Sequence, residues 1–405
     1  MRYDIIIIGG GAAGFFTAIN AAEMTPGAKI LILERGKEVL TKVRISGGGR
    51  CNVTHAEFIP KELVKNYPRG EKELRGPFHQ FMTGDTIAWF EERGVDLKTE
   101  EDGRMFPVSD TSETIINCFL SEAERLKIEI KKSETLKSIR EAGECWELKT
   151  SKTVYSAEKI VMATGSNPKI WNLLQKLGHN VNTAVPSLFT FNISDERIKS
   201  LPGISTYAEV KVQGEKLQDE GPLLITHWGL SGPAILKLSA WGARKLHQRS
   251  YQFQILVNWL PGFSSEEILE NLKRLKFDLA KQQVLKNAQF DLPKRLWQNL
   301  VAASGIAEKD IWANINKTQL LALSAQLTEA KFKVNGKSTF KEEFVTCGGV
   351  DLKEVNFKSF ESKLHENLFF AGEVLNIDAV TGGYNFQNAW TGGFIAAKAM
   401  AAKGN

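Results

Sequence analysis

The residues near the amino terminus that are best suited to chemistry lie in the segment "KVRISGGGRCN", positions 42–52. The run Gly47–Gly49 is costly to order, so it predicts a place where the backbone lies close to another molecule. Arg50 and Asn52 follow as hydrogen-bond donors to phosphate or ring oxygens, and Cys51 adds a thiol. This thiol is either a small packed residue or a group that faces the ligand.

A nucleotide-binding turn precedes this segment. Ile5–Ile8 has the β-branched character of a buried strand, and Gly9–Gly14 follows it as GxGxxG. These glycines permit a tight turn, close approach of a pyrophosphate and close helix packing, and the helix N-terminus favours phosphate. A second strand, Lys29–Leu33, ends in Glu34, a carboxylate placed to accept ribose hydroxyls. The motif predicts a dinucleotide but does not distinguish NAD from FAD.

Two later segments predict a return of the chain to the same site. Residues 159–165, "KIVMATG", form a short apolar strand followed by a glycine turn. Leu368–Ala371 is a further strand, which ends at Gly372–Glu373, and a loop then reaches Gly382–Gly383 before a helix that begins near Tyr384. The N-terminus of this helix would stabilise negative charge on a reduced flavin ring. The turn is therefore expected to affect flavin redox more than flavin binding.

Composition and charge exclude several classes of protein. A chain of 405 residues with 42% apolar and 24% charged residues predicts two or three ordinary globular domains. Four cysteines without a CxxC pair (Cys51, Cys118, Cys145 and Cys347) indicate a reducing compartment, no disulfide framework and no metal site. The apolar stretch 5–22 is broken by the three consecutive glycines Gly9–Gly11, which favours a strand, turn and helix over a signal peptide or membrane span. We therefore predict a cytoplasmic protein.

The pattern changes between about Phe189 and Phe340. Short strand-like segments predict a small antiparallel barrel or sandwich at 190–260. These segments are Phe189–Ile193, Tyr207–Val212, Leu223–Thr226 and Gln252–Val257. Helical patterns follow to about Leu327, and they include a capping box at Ser264 and Glu267.

Two stretches offer further candidates for chemistry. "THWGLSGP", at 226–233, places His227 at a strand end before a glycine turn and Pro233 at a helix start. His227 either donates a proton to, or polarises a carbonyl of, a substrate held between the insert and the flavin, or it is a structural histidine. "EDGRMFP" predicts a hairpin with Asp102–Gly103 at its turn, and Arg104 either reaches the active-site region or is solvated.

Several motifs resemble those of the bacterial FAD flavoproteins that include aminoacetone oxidases and bile-acid reductase-like oxidoreductases. Besides the N-terminal GxGxxG they are SGGGRCNVT, EDGRMFP, THWGLSGPA, TCGGV and GEVLNID…TGGYNFQNAW, in order over nearly the whole chain. The resemblance implies an α/β fold whose Rossmann-like FAD-binding domain, of glutathione-reductase type, is interrupted by an inserted β-barrel-plus-helical domain. The discontinuous domain would comprise 1–189 and 341–405, and the insert 190–340, with its helical part at 261–340.

The same resemblance implies a set of FAD contacts. They are Gly9, Gly11, Ala12, Ala13, Gly14, Glu34, Arg35, Ser46, Gly47, Gly48, Gly49, Arg50, Cys51, Asn52, Ala163, Thr164, Gly165, Gly372, Glu373, Gly382, Gly383, Tyr384 and Asn385. Tyr384 and His227 are the candidate catalytic residues.

The chain departs from related patterns in three places. Disulfide-reducing flavoproteins carry a second cysteine five residues after the first, where Ala56 stands here, so a dithiol relay is not expected. Asn376 replaces an Asp that the resembled family often has, and a helix begins early after Gly165. The second and third departures argue against transferring a substrate from any single relative.

These observations predict an FAD-dependent oxidoreductase acting on a small organic substrate. The reaction would be oxidation of an amine or amino-ketone, or NAD(P)H-linked reduction of an enone. No second GxGxxG follows a strand, so NAD(P)H would be a transient donor, or oxygen would reoxidise the flavin.

Two alternatives remain. Binding or modification of RNA is one, since residues 271–317 hold nine Lys or Arg against four Asp or Glu. However, their helical spacing is more typical of a solvated face, so the sequence favours a small-molecule substrate over nucleic acid. A flavin-binding protein without turnover is the other alternative. The oligomeric state is not indicated.

Overall fold

The computed structural model describes residues 1–339 and 345–402, and it divides the chain into two compact units. The cofactor unit comprises Met1–Val185 and Lys341–Asn405, and the insert unit comprises Pro186–Phe340. The predicted start of the insert at 190 lies close to the first of these boundaries, whereas the boundary predicted at 340/341 lies outside the described residues. Among the described helices, none combines the length and apolar character needed to cross a bilayer.

The strands are numbered in chain order. They are β1 (Arg2–Ile8), β2 (Ile30–Leu33), β3 (Thr54–His55), β4 (Leu97–Thr99), β5 (Arg104–Pro107), β6 (Glu129–Lys131), β7 (Leu136–Ala142), β8 (Cys145–Thr150), β9 (Val154–Met162), β10 (Val181–Ser187), β11 (Thr190–Asn192), β12 (Ser205–Val212), β13 (Gln218–Thr226), β14 (Gly229–Ser231), β15 (Gln252–Asn258), β16 (Ala330–Asn335), β17 (Lys337–Ser338), β18 (Val345–Val350), β19 (Val355–Asn356), β20 (Glu361–Ser362) and β21 (Leu368–Phe370).

The helices are numbered in the same way. They are α1 (Ala12–Met24), α2 (Thr41–Gly49), α3 (Pro60–Leu63), α4 (Glu71–Leu74), α5 (Thr83–Glu91), α6 (Ser112–Arg125), α7 (Pro168–Lys176), α8 (Glu196–Lys199), α9 (Pro233–Gln248), α10 (Ser265–Asp278), α11 (Lys294–Ala303), α12 (Lys317–Thr328) and α13 (Tyr384–Ala402).

A central sheet organises the cofactor unit. Its strand order is β19-β20-β21-β9-β1-β2-β6, and β8 and β7 extend it from β9 as an antiparallel hairpin. The strands β21, β9, β1, β2 and β6 run parallel to one another. Buried parallel strands require continuous apolar runs, and the four isoleucines of β1 are all buried. This is the predicted Rossmann-type α/β fold.

Two glycine-containing helices pack closely against each other beside this sheet. A Cβ on Gly393 of α13 would lie 2.8 Å from the hydroxyl oxygen of Thr17 on α1, so only glycine permits this approach. The ring of Trp390 packs 5.1 Å from that of Phe16, and its indole N–H donates to the carbonyl of Val53 at 2.9 Å. The start of α13 is thereby fixed against both α1 and the segment that contains β3.

The insert unit has a single curled sheet. The strand order is β16-β15-β12-β13-β14-β11-β17, with antiparallel pairing throughout. Its two end strands, β16 and β17, are separated in sequence only by Gly336, so one stretch of chain pairs with β15 on one side and with β11 on the other. This connection curls the predicted antiparallel sheet.

Three local structures that the sequence predicts, two in the insert and one in the small hairpin, are confirmed. Pro233 is the first residue of α9, and Ser264 with Glu267 forms the capping box of α10. Strands β4 and β5 form the hairpin whose turn contains Asp102–Gly103. The helices of the insert bury one apolar face each, for example Leu296, Leu300 and Val301 of α11.

Candidate cofactor and active site

The register of the central sheet brings four predicted segments to one edge. Ile8 pairs with Leu33 and with Met162, and Met162 pairs with Phe370. Since these strands are parallel, their carboxyl ends lie side by side, which is where doubly wound sheets bind nucleotides. The segments that follow are the GxGxxG turn, Glu34–Arg35, Ala163–Gly165 and Gly372–Glu373.

The three glycines of the GxGxxG turn have different structural roles. Gly9 has a φ of 116°, and a Cβ there would lie 2.3 Å from the carbonyl oxygen of Ala163. A Cβ on Gly14 would lie 1.9 Å from the carbonyl oxygen of Gly9. Gly11 differs, because a Cβ there would meet no atom within 4 Å. The fold itself requires Gly9 and Gly14, whereas Gly11 leaves space beside the turn that suits a pyrophosphate.

The N-terminus of α1 supplies donors for that space. In the described part of the chain, the N–H groups of Gly11, Ala12, Ala13 and Gly14 have no protein acceptor, and no acidic side chain lies in this first turn. Ala13 and Gly14 are buried. Because buried N–H groups normally have partners and a helix N-terminus carries partial positive charge, the turn fits the pyrophosphate of FAD.

Glu34 is held in place by backbone donors. One carboxylate oxygen accepts the N–H of Gly10 at 2.8 Å, and the other accepts the N–H of Gly36 at 2.6 Å. Each oxygen has a second lone pair. The carboxylate is thus fixed at the strand end and keeps the capacity to accept ribose hydroxyls, and its contact with a ribose stays a prediction.

A cleft opens beside Glu34 at the same sheet edge. Its lining includes Gly9, Glu34, Arg35 and Thr164, which were predicted, and residues that were not. The unpredicted lining residues are Ile8, Leu33, Glu134, Thr135, Leu136, Asn167 and Ile170. Asn167 caps α7 through a bond from the N–H of Lys169, which is the early helix start seen in the sequence. The order of motifs along the sequence gave no signal for Thr135 or Leu136.

The triple-glycine segment leaves helical geometry before α2 ends. Gly47, Gly48 and Gly49 have φ of 58°, 69° and 86°. A Cβ on Gly47 would lie 2.8 Å from the ring of Phe106, while Gly48 and Gly49 would meet nothing within 4 Å. The last two glycines therefore expose backbone to open space, which fits the predicted close approach of a ligand.

Two of the side chains predicted to contact FAD are engaged elsewhere. The Arg50 guanidinium donates to Glu100 at 2.6 Å and lies 3.9 Å over the ring of Phe106. Cys51 is fully buried, and burial raises the pKa of its thiol to about 12. The structure thus favours the packed interpretation of this thiol, and a contact of either side chain with FAD stays a prediction.

The segment beyond the glycines is tied to the C-terminal part of the unit. The side-chain amide of Asn52 is oriented so that its oxygen and its nitrogen both form hydrogen bonds. The oxygen accepts the N–H of Gly383 at 3.0 Å, and the nitrogen donates to the carbonyl of Thr54 at 3.0 Å. Lys42 forms an ion pair with Glu373 at 2.6 Å. The segments that contain the triple glycine, Glu373 and Gly383 therefore form one connected wall.

The loop before α13 is held by residues that the sequence did not predict as part of the site. Arg69 donates from Nε to Asp378 at 2.5 Å, and Asp378 is fully buried. The Tyr67 hydroxyl donates to the carbonyl of Tyr384 at 2.6 Å. Asn385 closes the loop, because its side-chain oxygen accepts the N–H of Ala379 at 3.0 Å. The amide of Asn385 thus has a structural partner, and its contact with FAD stays a prediction.

A stacked pair of rings lies at the start of α13. The imidazole of His55, which was not predicted, stacks on the phenol of Tyr384 with ring centroids 4.6 Å apart, and its Nδ1 lies 3.0 Å from the carbonyl oxygen of Gly382. This carbonyl is an acceptor, so Nδ1 carries the proton. Burial lowers the pKa of His55 below its ordinary value and raises the pKa of Tyr384 well above it. Both rings are therefore neutral near pH 7.

The remaining candidates are His227 of the insert unit and Arg104 of β5, which pairs with His55 in the small sheet. His227 is exposed in the two-residue turn between β13 and β14, in the insert unit, and its catalytic role stays a prediction. Arg104 pairs with Glu100 at 2.9 Å and with Asp102 at 2.7 Å. The side chain of Arg104 thus belongs to a surface ion-pair cluster.

These features define a class of protein. One sheet edge collects a helix N-terminus with free N–H groups, the carboxylate of Glu34 and two further glycine turns, and a second helix of the same unit begins at Tyr384. The residues present fit an extended dinucleotide such as FAD. The chain is an FAD-dependent oxidoreductase with a Rossmann-type cofactor domain.

Comparison with known proteins gives the family. Residues 3–399 match the family described as "HI0933-like protein Rossmann domain", and the chain belongs to it. It is 28% identical to a ribosomal RNA dihydrouridine synthase of Escherichia coli, over 99% of this chain and 98% of the relative. It is 26% identical to a 3-dehydro-bile acid delta(4,6)-reductase of Clostridium scindens, over 98% of each chain.

A solved structure shares the fold. The 3-ketosteroid delta1-dehydrogenase of Sterolibacterium denitrificans superposes with a TM-score of 0.52 at 11% identity, over 99% of this chain and 100% of that one. At this identity the likeness concerns the fold alone.

Proposed function

We propose that this protein reduces a carbon–carbon double bond conjugated with a carbonyl group. The names of two relatives support this chemistry. Dihydrouridine is uridine whose C5–C6 double bond, conjugated with the C4 carbonyl, has been saturated. A 3-dehydro bile acid with delta(4,6) unsaturation likewise carries double bonds conjugated with a 3-oxo group. Enone reduction is one of the two chemistries that the sequence predicts, and amine or amino-ketone oxidation is the other.

The observation that carries the proposal is the His55–Tyr384 pair beside the loop Gly382–Gly383. Bound FAD supplies hydride chemistry, with NADH or NADPH as the transient donor. Saturating a conjugated double bond also requires a proton, and the protein must hold that proton on a neutral donor. The pair provides such a donor in the cofactor unit.

Tyr384 is the proposed proton donor. Burial keeps its phenol protonated, and within the described residues its hydroxyl has no hydrogen-bond partner. His55 is proposed to position the phenol, because its ring stacks on Tyr384 and its Nδ1–H is anchored on the carbonyl of Gly382. Because stacking fixes the ring of Tyr384 while its hydroxyl has no partner, the hydroxyl can donate its proton to a carbon or a carbonyl oxygen of the substrate.

We propose a uridine of ribosomal RNA as the substrate. The E. coli relative that bears this activity in its name aligns along nearly the whole chain. The charge of the insert unit supports the same choice, since residues 186–340 contain 20 Lys or Arg against 14 Asp or Glu, a net charge of +6. The rest of the chain has 32 against 33, a net charge of −1. A positively charged insert unit would favour binding of a polyanionic substrate such as RNA.

The test compares substrates under anaerobic conditions. Holoprotein with NADH or NADPH is incubated either with unmodified ribosomal RNA made by transcription or with a steroid that has a 4-ene-3-oxo group, and products are analysed by mass spectrometry. Dihydrouridine in the RNA is the expected result. Conversion of the steroid alone would keep the reaction class and contradict the RNA substrate. Oxidation of amino-ketones without saturation of either substrate would contradict the reaction class.

A variant tests the proton donor. Tyr384→Phe should lower the rate of product formation by roughly 100-fold or more, the size of a general-acid effect, with FAD still bound. Tyr207→Phe is the matched control, because Tyr207 is an exposed tyrosine of the insert whose hydroxyl lies 3.3 Å from Glu220. A Tyr384→Phe protein with the wild-type rate would remove Tyr384 from this role.

A further inference from the structure

One helix of the insert unit carries an exposed aromatic ring among cations. In α10, Ile268 and Leu272 are buried, which defines the inward face of the helix. Lys273, Arg274 and Phe277 lie on its exposed side. Residues 273 and 277 are four apart and 274 and 277 three apart, so both cations neighbour the ring on the helix surface.

Phe277 is 84% exposed, the highest exposure among the large hydrophobic side chains of the described residues. The described structure gives its ring no aromatic or cation partner. Phe263, another exposed phenylalanine of the insert, does have an aromatic partner, since its ring lies 6.4 Å from that of Phe290. A solvated helical face explains the lysines but does not explain a bare phenyl ring at its end.

The neighbouring acidic side chains leave these cations available to contact an anionic ligand. Lys273 pairs with Glu270 at 2.6 Å, but the two side chains are about half exposed or more, and such surface pairs are weak. Arg274 donates to the side-chain oxygen of Asn271 at 3.2 Å. Lys281, just beyond the helix, is exposed. Asp278 and Glu270 are the acids on this part of the helix.

We infer that the surface formed by Lys273, Arg274, Phe277 and Lys281 binds single-stranded RNA. The ring would stack on an unpaired base, and the three cations would contact flanking phosphates, which is the combination that single-stranded nucleic acid requires. The inference rests on the proposed RNA substrate and adds the place where that RNA is held. The sequence shows the excess of cations at 271–317, but only the fold shows that Phe277 is exposed beside Lys273 and Arg274.

Binding of a fluorescent single-stranded ribosomal RNA fragment by the holoprotein tests this surface. Phe277→Ala should weaken binding roughly 5-fold or more, since stacking on an aromatic side chain contributes about 1–3 kcal/mol per base. The double variant Lys273→Gln with Arg274→Gln should weaken binding and flatten the dependence of log Kd on log salt by roughly 0.7 per lost phosphate contact.

Controls come from the same unit. Leu321→Ala removes another exposed apolar side chain (46% exposed), and Lys199→Gln removes another exposed lysine. Both should bind RNA like the wild type. Circular dichroism should show that all variants remain folded, which is expected because the changed side chains are exposed.

The outcomes separate this inference from the proposed function. Wild-type RNA affinity in the Phe277 and charge variants, with dihydrouridine still formed, would overturn the binding surface and leave the reaction intact. A wild-type protein that binds no RNA, and forms no dihydrouridine, would overturn both the surface and the RNA substrate. Weakened binding confined to the Phe277 and charge variants supports the surface.

Discussion

The side-chain amide of Asn52 accepts a hydrogen bond from the backbone N–H of Gly383 at 3.0 Å. This bond joins the segment that follows the triple glycine to the turn that precedes α13, two places far apart in the sequence. The same amide donates to the carbonyl of Thr54, which directs the chain toward His55. The geometry of the His55–Tyr384 pair therefore depends on this connection.

Gly383 should be more important for folding than the sequence indicates. Its φ is 95°, and a Cβ would lie 2.4 Å from the carbonyl oxygen of Thr54. Gly383→Ala should lower the free energy of unfolding by about 2 kcal/mol or more, measured by denaturant titration of the apoprotein. In the control Gly84→Ala, the new Cβ meets no atom within 4 Å. Equal stability of Gly383→Ala and wild type would show that the turn accommodates a Cβ. The expected effect of the substitution would then be on flavin redox alone.

Cys51 should be unreactive in the folded protein. The thiol is fully buried, and its pKa is raised to about 12 by that burial, so little thiolate forms at pH 8. Alkylation followed by peptide mass spectrometry should label the partly exposed Cys145 first, and Cys51 only after denaturation. Cys51→Ser should keep FAD and at least a tenth of the rate of flavin reduction. Rapid labelling of native Cys51 would instead indicate a ligand-facing thiol.

Stability should fall on mild acidification, in part because of His179. This buried ring lies 2.9 Å from Glu354 and 3.1 Å from the hydroxyl of Ser362. Burial lowers its pKa below the ordinary 6.5, although Glu354 acts in the opposite direction. The folded chain then binds fewer protons here than the unfolded chain, so stability is lost as the pH falls from about 6.5 through the folded pKa. The lowered pKa of His55 acts with the same sign.

Thermal melting between about pH 7.5 and pH 5 measures this effect. His179→Gln should be less stable than wild type at the upper pH, because the hydrogen bonds are perturbed, but its melting temperature should fall less steeply with acidification. His247→Gln, at an exposed position of α9, is the matched histidine-to-glutamine control. An unchanged slope in His179→Gln would assign the acid sensitivity to other groups.

Local signals predicted the fold well. The isoleucines of β1, the GxGxxG turn and Glu34 each specify a neighbouring stretch of chain, so their pattern alone predicts the strand, the helix and the carboxylate at the strand end. The capping box of α10 and the start of α13 at Tyr384 are local in the same sense. The parallel register of the sheet then places the predicted cofactor segments at one edge.

Pairings between distant residues could not be predicted in this way. Nothing in the residue types near Arg50 indicates that Glu100 takes its guanidinium, or that Asn52 binds Gly383. His55 is a single histidine outside any periodic pattern, and only the folded chain brings its ring against Tyr384. These contacts depend on tertiary structure, and they are the ones that distinguish side chains facing a ligand from side chains engaged in the fold.

The central claim is that FAD binds at the turn before α1, and Gly11 tests it most directly. A Cβ at Gly11 meets no atom of the protein within 4 Å, and φ there is −96°, which alanine adopts readily. Gly11→Ala should therefore leave the unfolding free energy of the apoprotein within about 0.5 kcal/mol of wild type. The Kd for FAD, measured by titrating apoprotein and following flavin fluorescence, should rise roughly 10-fold or more, as for loss of a charge-assisted hydrogen bond to the pyrophosphate. A normally folded Gly11→Ala protein that binds FAD with the wild-type Kd would contradict the site.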